Sequence, residues 1–259
     1  MDDRYTFGDS DRAAARLRRL AELYEPVTRS LLLRGGGPGC EVAADLGCGP
    51  GWTTRLLHEV LGPRRTVGLD ASERYVAEAR RLQPPALEFV CHDVTAAPFP
   101  VRPELLLCRF ILTHLRDTDA ALAAWASAAA PSARLLVHET ESLSSGHPAL
   151  ARYYELIARL QRHYGQHLDV GARLDSALER SPWRVLETRA VRLELPAARM
   201  AELHLANLRT WRDDPHARSA FDAAELASLE DTLARIVDGT EPAGSVANVV
   251  RQVVAERRG

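Results

Sequence analysis

The chain has 259 residues, 46% of them hydrophobic, enough to bury a full core as one α/β domain with additions. Its formal net charge of −2 gives no global attraction to nucleic acid or to an anionic membrane. All 33 basic residues are arginine, which excludes Schiff-base chemistry, a lysine general base and a P-loop lysine, and with them pyridoxal phosphate enzymes and Walker-type NTPases.

Residues 9–24 read as a helix, capped by Asp9, Ser10 or Asp11, with Leu17, Leu20 and Tyr24 on one face. A second short helix is expected from Pro26 to Leu33, with the proline near its first turn. The run Gly35-Gly36-Gly37-Pro38-Gly39 then breaks the chain. From residue 41 strands and helices alternate: strands at 41–46, 65–70, 86–91, 104–108 and 133–139, helices at 51–61, 73–82 and 117–129. That alternation is the signature of a parallel sheet, and the near-continuous apolar runs of the fourth and fifth strands imply burial on both faces. Past residue 139 the pattern changes to helices at 149–163 and 171–180, a long strand at 183–195, and helices at about 197–213 and 222–237. The β-branched run at 244–254 closes the chain as a strand, because as a helix it would have no polar face. The N-terminus carries no apolar stretch and no segment is long enough to span a bilayer, so a soluble, cytoplasmic protein without a signal peptide is expected. The four cysteines are too widely spaced for a zinc site or a disulfide framework. His163, His167 and Asp169 read as solvated polar residues, so no metal is expected.

The densest chemistry lies in Asp45-Leu46-Gly47-Cys48-Gly49-Pro50-Gly51, an apolar strand running into an acid and then a loop with glycine at every second position. Such glycines permit positive φ and close approach of a ligand to the main chain. The spacing differs from the dinucleotide fingerprint, and a carboxylate beside the loop would repel a phosphate while suiting an ammonium group. Two more strands end in acids: Val67-Gly68-Leu69-Asp70, where the carboxylate suits ribose hydroxyls, and the strand that reaches Asp93. In these residues the chain resembles the class I S-adenosylmethionine (SAM) dependent methyltransferases. The resemblance implies a Rossmann-like seven-stranded, mostly parallel sheet with an antiparallel last strand, to which helical lid insertions are added. It also implies SAM as cofactor and S-adenosylhomocysteine as product. Asp45, Gly47, Gly49 and Gly51 would hold the methionine part, Asp70 the ribose and Asp93 the adenine amine, with Cys48, Ala71 and Val94 also cofactor-binding, and Arg109 would offer its backbone carbonyl to the ammonium.

The motifs of that resemblance cover residues 41–141. Residues 1–34 are read as an N-terminal helical lid, and 35–259 as the SAM-binding domain with helical caps at 142–181 and 197–240. Ligands in open α/β sheets bind outside the carboxyl ends of the strands, which brings His114 and Glu139 to the candidate rim as catalytic residues. The alternation of strand residues sends Glu139 and Glu141 to one side. Tyr5, Phe7, His114, Glu139, His147, Tyr153 and Trp211 are candidates for substrate contact, although Tyr153, Tyr154 and Trp211 read first as packing residues. Cys108-Arg109-Phe110-Ile111 replaces the Asn/Asp-Pro-Pro-aromatic motif of base-amine and glutamine methyltransferases, and no basic patch with aromatics supports an RNA substrate. The expected function is methyl transfer to a small molecule of specialised metabolism, with neither nucleic acid nor membrane as partner. A homodimer exchanging lid helices is compatible with this layout. Two rivals share the motifs: a SAM-binding enzyme that catalyses a rearrangement or cyclisation, and a non-catalytic SAM-binding protein.

Overall fold

The computed structural model describes residues 11–37 and 39–259. Tyr5 and Phe7, and the expected caps Asp9 and Ser10, lie outside them. The chain opens with one long helix, α1 (Asp11–Gly35), rather than two, and Pro26 sits inside it. A proline within a helix costs about 3 kcal/mol through its missing N–H and ring clash. The turn that follows offsets that cost by fully burying Leu31 and Leu32 against the sheet, each worth about 1.5–3 kcal/mol.

The α/β unit then runs β1 (Val42–Leu46), α2 (Trp52–Leu61), β2 (Arg65–Asp70), α3 (Glu73–Leu82), β3 (Leu87–Cys91), β4 (Leu105–Arg109), α4 (Thr118–Ala128) and β5 (Arg134–Ser145). It continues with α5 (Pro148–His163), α6 (Leu174–Glu179), β6 (Trp183–Pro196), α7 (Ala197–Trp211), α8 (Pro215–Ala220), α9 (Ala223–Asp238) and β7 (Ser245–Arg257). The seven strands form one sheet in the order β3-β2-β1-β4-β5-β7-β6. β1 to β5 pair parallel, and β7 lies antiparallel between β5 and β6. The strand order reverses beside β1, which puts a ligand crevice at the carboxyl ends of β1 and β4.

Alternation along the strands divides the core. Leu46, Leu69, Leu106, Cys108 and Val137 face α4 and α6, together with Trp125 and Trp183. Ala43, Leu105, Leu107 and Leu136 face α1 and α2. A separate apolar cluster joins Tyr24 of α1 to α5, α7 and α9 and to the start of β7, through Tyr153, Leu160, Met200, Trp211 and Val250. This helical layer stands over the carboxyl end of β4. β5 runs to Ser145, beyond its expected end, because its polar second half pairs with β7, with a register shift between Thr140 and Ser142. Residues 142–145 are therefore sheet and not cap.

Candidate functional site

Two cavities open at the strand ends, and they share a wall. The larger, about 730 Å³, is lined by Asp45, Gly47, Cys48 and Gly49 after β1, Asp70 and Ala71 after β2, Asp93 and Val94 after β3, and Arg109 after β4. Its volume lies in the range that encloses a drug-sized ligand. The smaller, about 110 Å³, is lined from the helical layer by Tyr153, Tyr154, Gln161, Met200, His204 and Asn207, among others. Arg16, Leu20, Phe110 and His114 line both.

The β1–α2 loop is shaped by backbone demands. Gly47, Gly49 and Gly51 have φ of 66°, 52° and 82°, in the left-handed region that favours glycine. A Cβ on Gly47 would stand 2.0 Å from Ile111 Cδ1, so Gly47 also lets the β4 loop approach. Gly51 is not part of the cavity wall. It caps α2, and a Cβ there would come within 2.7 Å of the Phe89 ring. Its part in the motif is therefore to turn the chain rather than to touch a ligand. The carboxylate of Asp70 organises the same loop: Gly49 N–H donates to Oδ2 and Ser72 N–H to Oδ1, each at 2.8 Å. Asp93 holds Thr95 in a similar way, accepting from its amide at 2.8 Å and its hydroxyl at 2.7 Å.

At the floor, Asp45 is buried and accepts from Thr54 Oγ1 at 2.7 Å. Burial pushes its carboxyl up to about 7 against the opposing pull of Thr54 and Arg109. Arg109 is held below its ordinary value by burial, with Asp45 the largest of the charges favouring its protonated form. The guanidinium lies over the Phe110 ring, 5.5 Å from its centre, and its buried Nε has no hydrogen-bond partner. An acid and an arginine thus stand together at the base of the cavity with hydrogen-bonding capacity to spare. That donor set matches an amino acid zwitterion, with ammonium toward Asp45 and carboxylate toward Arg109. The sequence pointed to the Arg109 carbonyl, and its side chain belongs to this cavity as well.

Phe110, at the shared wall, adopts φ 56° without being glycine. Such strain is characteristic of functional positions held by their surroundings. Here Phe110 N–H bonds the His138 carbonyl at 3.0 Å, and its ring packs edge-on to Tyr24 and His138, both at 5.0 Å. His114 follows in a 3-10 turn, Leu112–His114. Burial, with Arg16 nearby, drives its imidazole down to about 3, so it stands neutral at the wall.

Glu139 is placed differently from the sequence expectation. It is fully buried and lines neither cavity among the described residues. Its Oε1 accepts from Ile111 N–H at 2.7 Å and Leu112 N–H at 2.8 Å, so it holds the turn that carries His114 and is a positioning residue. Its place at the carboxyl end of β5 pointed to the rim, but its side chain shares the face of Val137 rather than that of His138 and Thr140. Glu141 pairs with Arg251 at 2.8 Å.

His147 caps α5 by accepting from Ala149 N–H and contacts Glu241 at 3.4 Å, away from both cavities. Trp211 is buried behind Tyr153, with ring centres 6.2 Å apart, and packs on Phe221. It is core rather than cavity wall. Tyr153 does reach the smaller cavity. Its hydroxyl lies near Asn207 and Trp211 but in hydrogen-bonding geometry with neither. Sequence reading missed Arg16, Trp52, Gln161, His204 and Asn207. Trp52 follows the glycine loop directly and lines the larger cavity. Its ring lies between Arg18 and Arg55, at 5.4 and 5.1 Å. The others depend on helix packing. No cluster of metal-ligating side chains occurs among the described residues, and His163 instead stacks on His216 at 3.5 Å.

Residues 43–132 match the family model of a methyltransferase domain. Over 74 residues the chain is 45% identical to trans-aconitate 2-methyltransferase of Escherichia coli O45:K1, a match spanning 29% of each protein. The chain therefore aligns with less than a third of the length of the curated relatives it matches. Solved structures share the fold, two of them as follows. The [4+2]-cyclase SpnF has a TM-score of 0.59 at 17% identity, covering 90% of this chain and 80% of that one. Phosphoethanolamine N-methyltransferase 2 of Haemonchus contortus, bound to phosphomonomethylethanolamine and S-adenosylhomocysteine, has a TM-score of 0.59 at 14% identity, covering 100% and 61%.

Proposed function

We propose that this chain, which belongs to the class I SAM-dependent methyltransferase family, uses SAM in the larger cavity to methylate a small molecule seated in the smaller one. The observation that carries the reading is that the two cavities adjoin, with Arg16, Leu20, Phe110 and His114 lining both. A donor site that adjoins a second, aromatic-lined space is arranged for group transfer rather than for binding alone.

The residues of the larger cavity fit SAM. Asp45 would take the ammonium, Arg109 the carboxylate, Asp70 the ribose hydroxyls, and Asp93 the adenine amine, with Ala71 and Val94 beside the rings. When bound, SAM supplies a methyl group already activated on a sulfonium. The protein's task is then alignment and exclusion of water. Leu20 and Phe110 would fix the line of approach at the shared wall, while α1, α5 and α7 would flank the acceptor side. His114 is set to orient the acceptor by a hydrogen bond. An imidazole that protonates near 3 is a poor general base at neutral pH. We assign the acceptor to the small molecules of specialised metabolism, since its cavity is compact and largely apolar, and we place the enzyme in the cytoplasm. No helix among the described residues is long and apolar enough to cross a membrane.

One fold hosts many reactions, so cyclisation without methyl transfer is the reading to be tested against. Incubation with methyl-labelled SAM and a metabolite extract decides it. Label recovered in a small product supports methylation. Turnover of an extract component with all label left on SAM favours the rival.

A further inference from the structure

Several polar groups on the wall of the acceptor cavity are matched within the protein. Tyr154 Oη and His204 Nε2 share a hydrogen bond at 2.9 Å, Thr113 Oγ1 donates to the His167 carbonyl at 2.9 Å, and Asn248 Nδ2 donates to Tyr24 Oη. Others leave one buried atom unmet, as Tyr153 Oη and Asn207 Oδ1 do. Gln161 leaves two. It is fully buried, it lines this cavity, and neither its Nε2 nor its Oε1 has a hydrogen-bond partner. Among the described residues it is the one side chain with both a buried donor and a buried acceptor unmet. The backbone beneath it is pinned: in the last turn of α5 the Gln161 carbonyl accepts from Tyr164 N–H at 3.0 Å and from Gln166 N–H at 2.9 Å. A buried carboxamide with both ends unmet costs stability that a methionine of similar length would not. A ligand that meets both ends offsets that cost.

We propose that Gln161 is the specificity-determining residue of the acceptor site, and that the acceptor is a small neutral ring with a lactam-like edge, an N–H donor beside a carbonyl acceptor. This rests on the reading of the smaller cavity as the acceptor site. A planar carboxamide presents its donor and its acceptor side by side, so one ligand edge of complementary order meets both. A ring whose two polar groups stand on opposite sides leaves one amide atom buried and unmet. Gln161 does not line the donor cavity, whereas Phe110 and His114 line both. The recognised edge therefore lies away from the methyl donor, and the opposite side of the ring faces the shared wall. Ile157, one helical turn before Gln161, and Leu168, Met200 and Leu203 supply the apolar surface for the rest of the ring. The volume suits one ring: an apolar cavity of about 150 Å³ holds benzene, and this one measures about 110 Å³.

The test uses the full chain saturated with S-adenosylhomocysteine, to which 2-pyridone, 4-pyridone and toluene are titrated and followed by ligand-detected NMR. The two pyridones have the same atoms and nearly the same size, and differ in whether donor and acceptor are adjacent. 2-Pyridone is expected to bind about 5- to 100-fold more tightly than 4-pyridone, because the latter leaves a buried amide atom unpaired. Gln161→Met keeps the length of the side chain and removes both polar atoms, so the ratio should fall to about one. Should the variant fail to fold, the isomer comparison on the unaltered chain still decides. Equal affinity for the two isomers, tightest binding of toluene, or a preference that survives in Gln161→Met would each overturn the proposal. Absence of S-adenosylhomocysteine binding by calorimetry would instead overturn the SAM assignment, and the isomer comparison, made on the chain alone, would then stand for or against Gln161 by itself.

Discussion

Asp70 has two duties, and they can be separated by experiment. Its carboxylate accepts from Gly49 N–H and Ser72 N–H, which fixes the glycine loop, and we assign it the ribose hydroxyls. In Asp70→Asn one oxygen survives and an NH2 group faces the other backbone amide. Losing one charge-assisted hydrogen bond and leaving a donor unmet should cost roughly 2–3 kcal/mol of stability. Weakened hydroxyl contacts, at about 1.5–3 kcal/mol, should raise Kd for S-adenosylhomocysteine roughly 10- to 150-fold. Loop distortion alone could also weaken binding, so the assay is a double cycle by calorimetry. Native and Asp70→Asn proteins are each titrated with S-adenosylhomocysteine and with its 2′-deoxy analogue. The native protein should lose affinity for the deoxy compound, and the variant should discriminate far less, giving a coupling above about 1 kcal/mol. Strict additivity of the two changes would refute the ribose assignment and leave Asp70 a loop-organising residue.

Three further outcomes follow from the geometry. Gly47→Ala drives a methyl into Ile111 from a left-handed backbone position. It should destabilise the fold by about 2–4 kcal/mol, read as a drop in Tm; an unchanged Tm would contradict the packing described. Arg109→Gln removes the cation beside Asp45, so S-adenosylhomocysteine should bind about tenfold or more weakly by calorimetry, as when a charged partner is lost, whereas equal affinity would remove Arg109 from the donor site. Glu139 has its pKa raised from 4.5 to about 7 by burial. The folded state therefore holds a proton between these values that the unfolded chain has lost, and this contribution to stability is present at low pH and disappears as pH rises toward 7. Glu139→Gln keeps an oxygen for Ile111 and Leu112 but does not titrate. The stability of the native protein relative to that variant should fall by about 3 kcal/mol between pH 4.5 and 8. Denaturant titrations showing a flat or rising difference would contradict the burial argument.

The α/β half of the molecule was legible because its signals are local. Apolar runs ending in Asp45 and Asp70 mark the strands, and glycine spacing marks the loop that turns between them. Pro26 misled because a local helix-breaking rule competes with burial of Leu31 and Leu32 two turns later. The polar end of β5 was invisible as a strand because only its partner, β7, makes it one. Glu139 shows the limit of parity: alternation says which residues share a face, but not which face borders the cavity. The acceptor cavity was least legible. Arg16, Gln161, His204 and Asn207 come from three different helices and meet only when α1, α5 and α7 pack together.

We assign SAM to the acid-and-glycine rim, with its reactive end at the wall shared by the two cavities. A crystal structure of the chain with S-adenosylhomocysteine tests it most directly. The account predicts the ribose on Asp70, the amino acid part between Asp45 and Arg109, and the sulfur facing Phe110 and His114. Placement of the sulfur away from that wall, or the ligand bound outside the Asp45–Asp70–Asp93 rim, would contradict it.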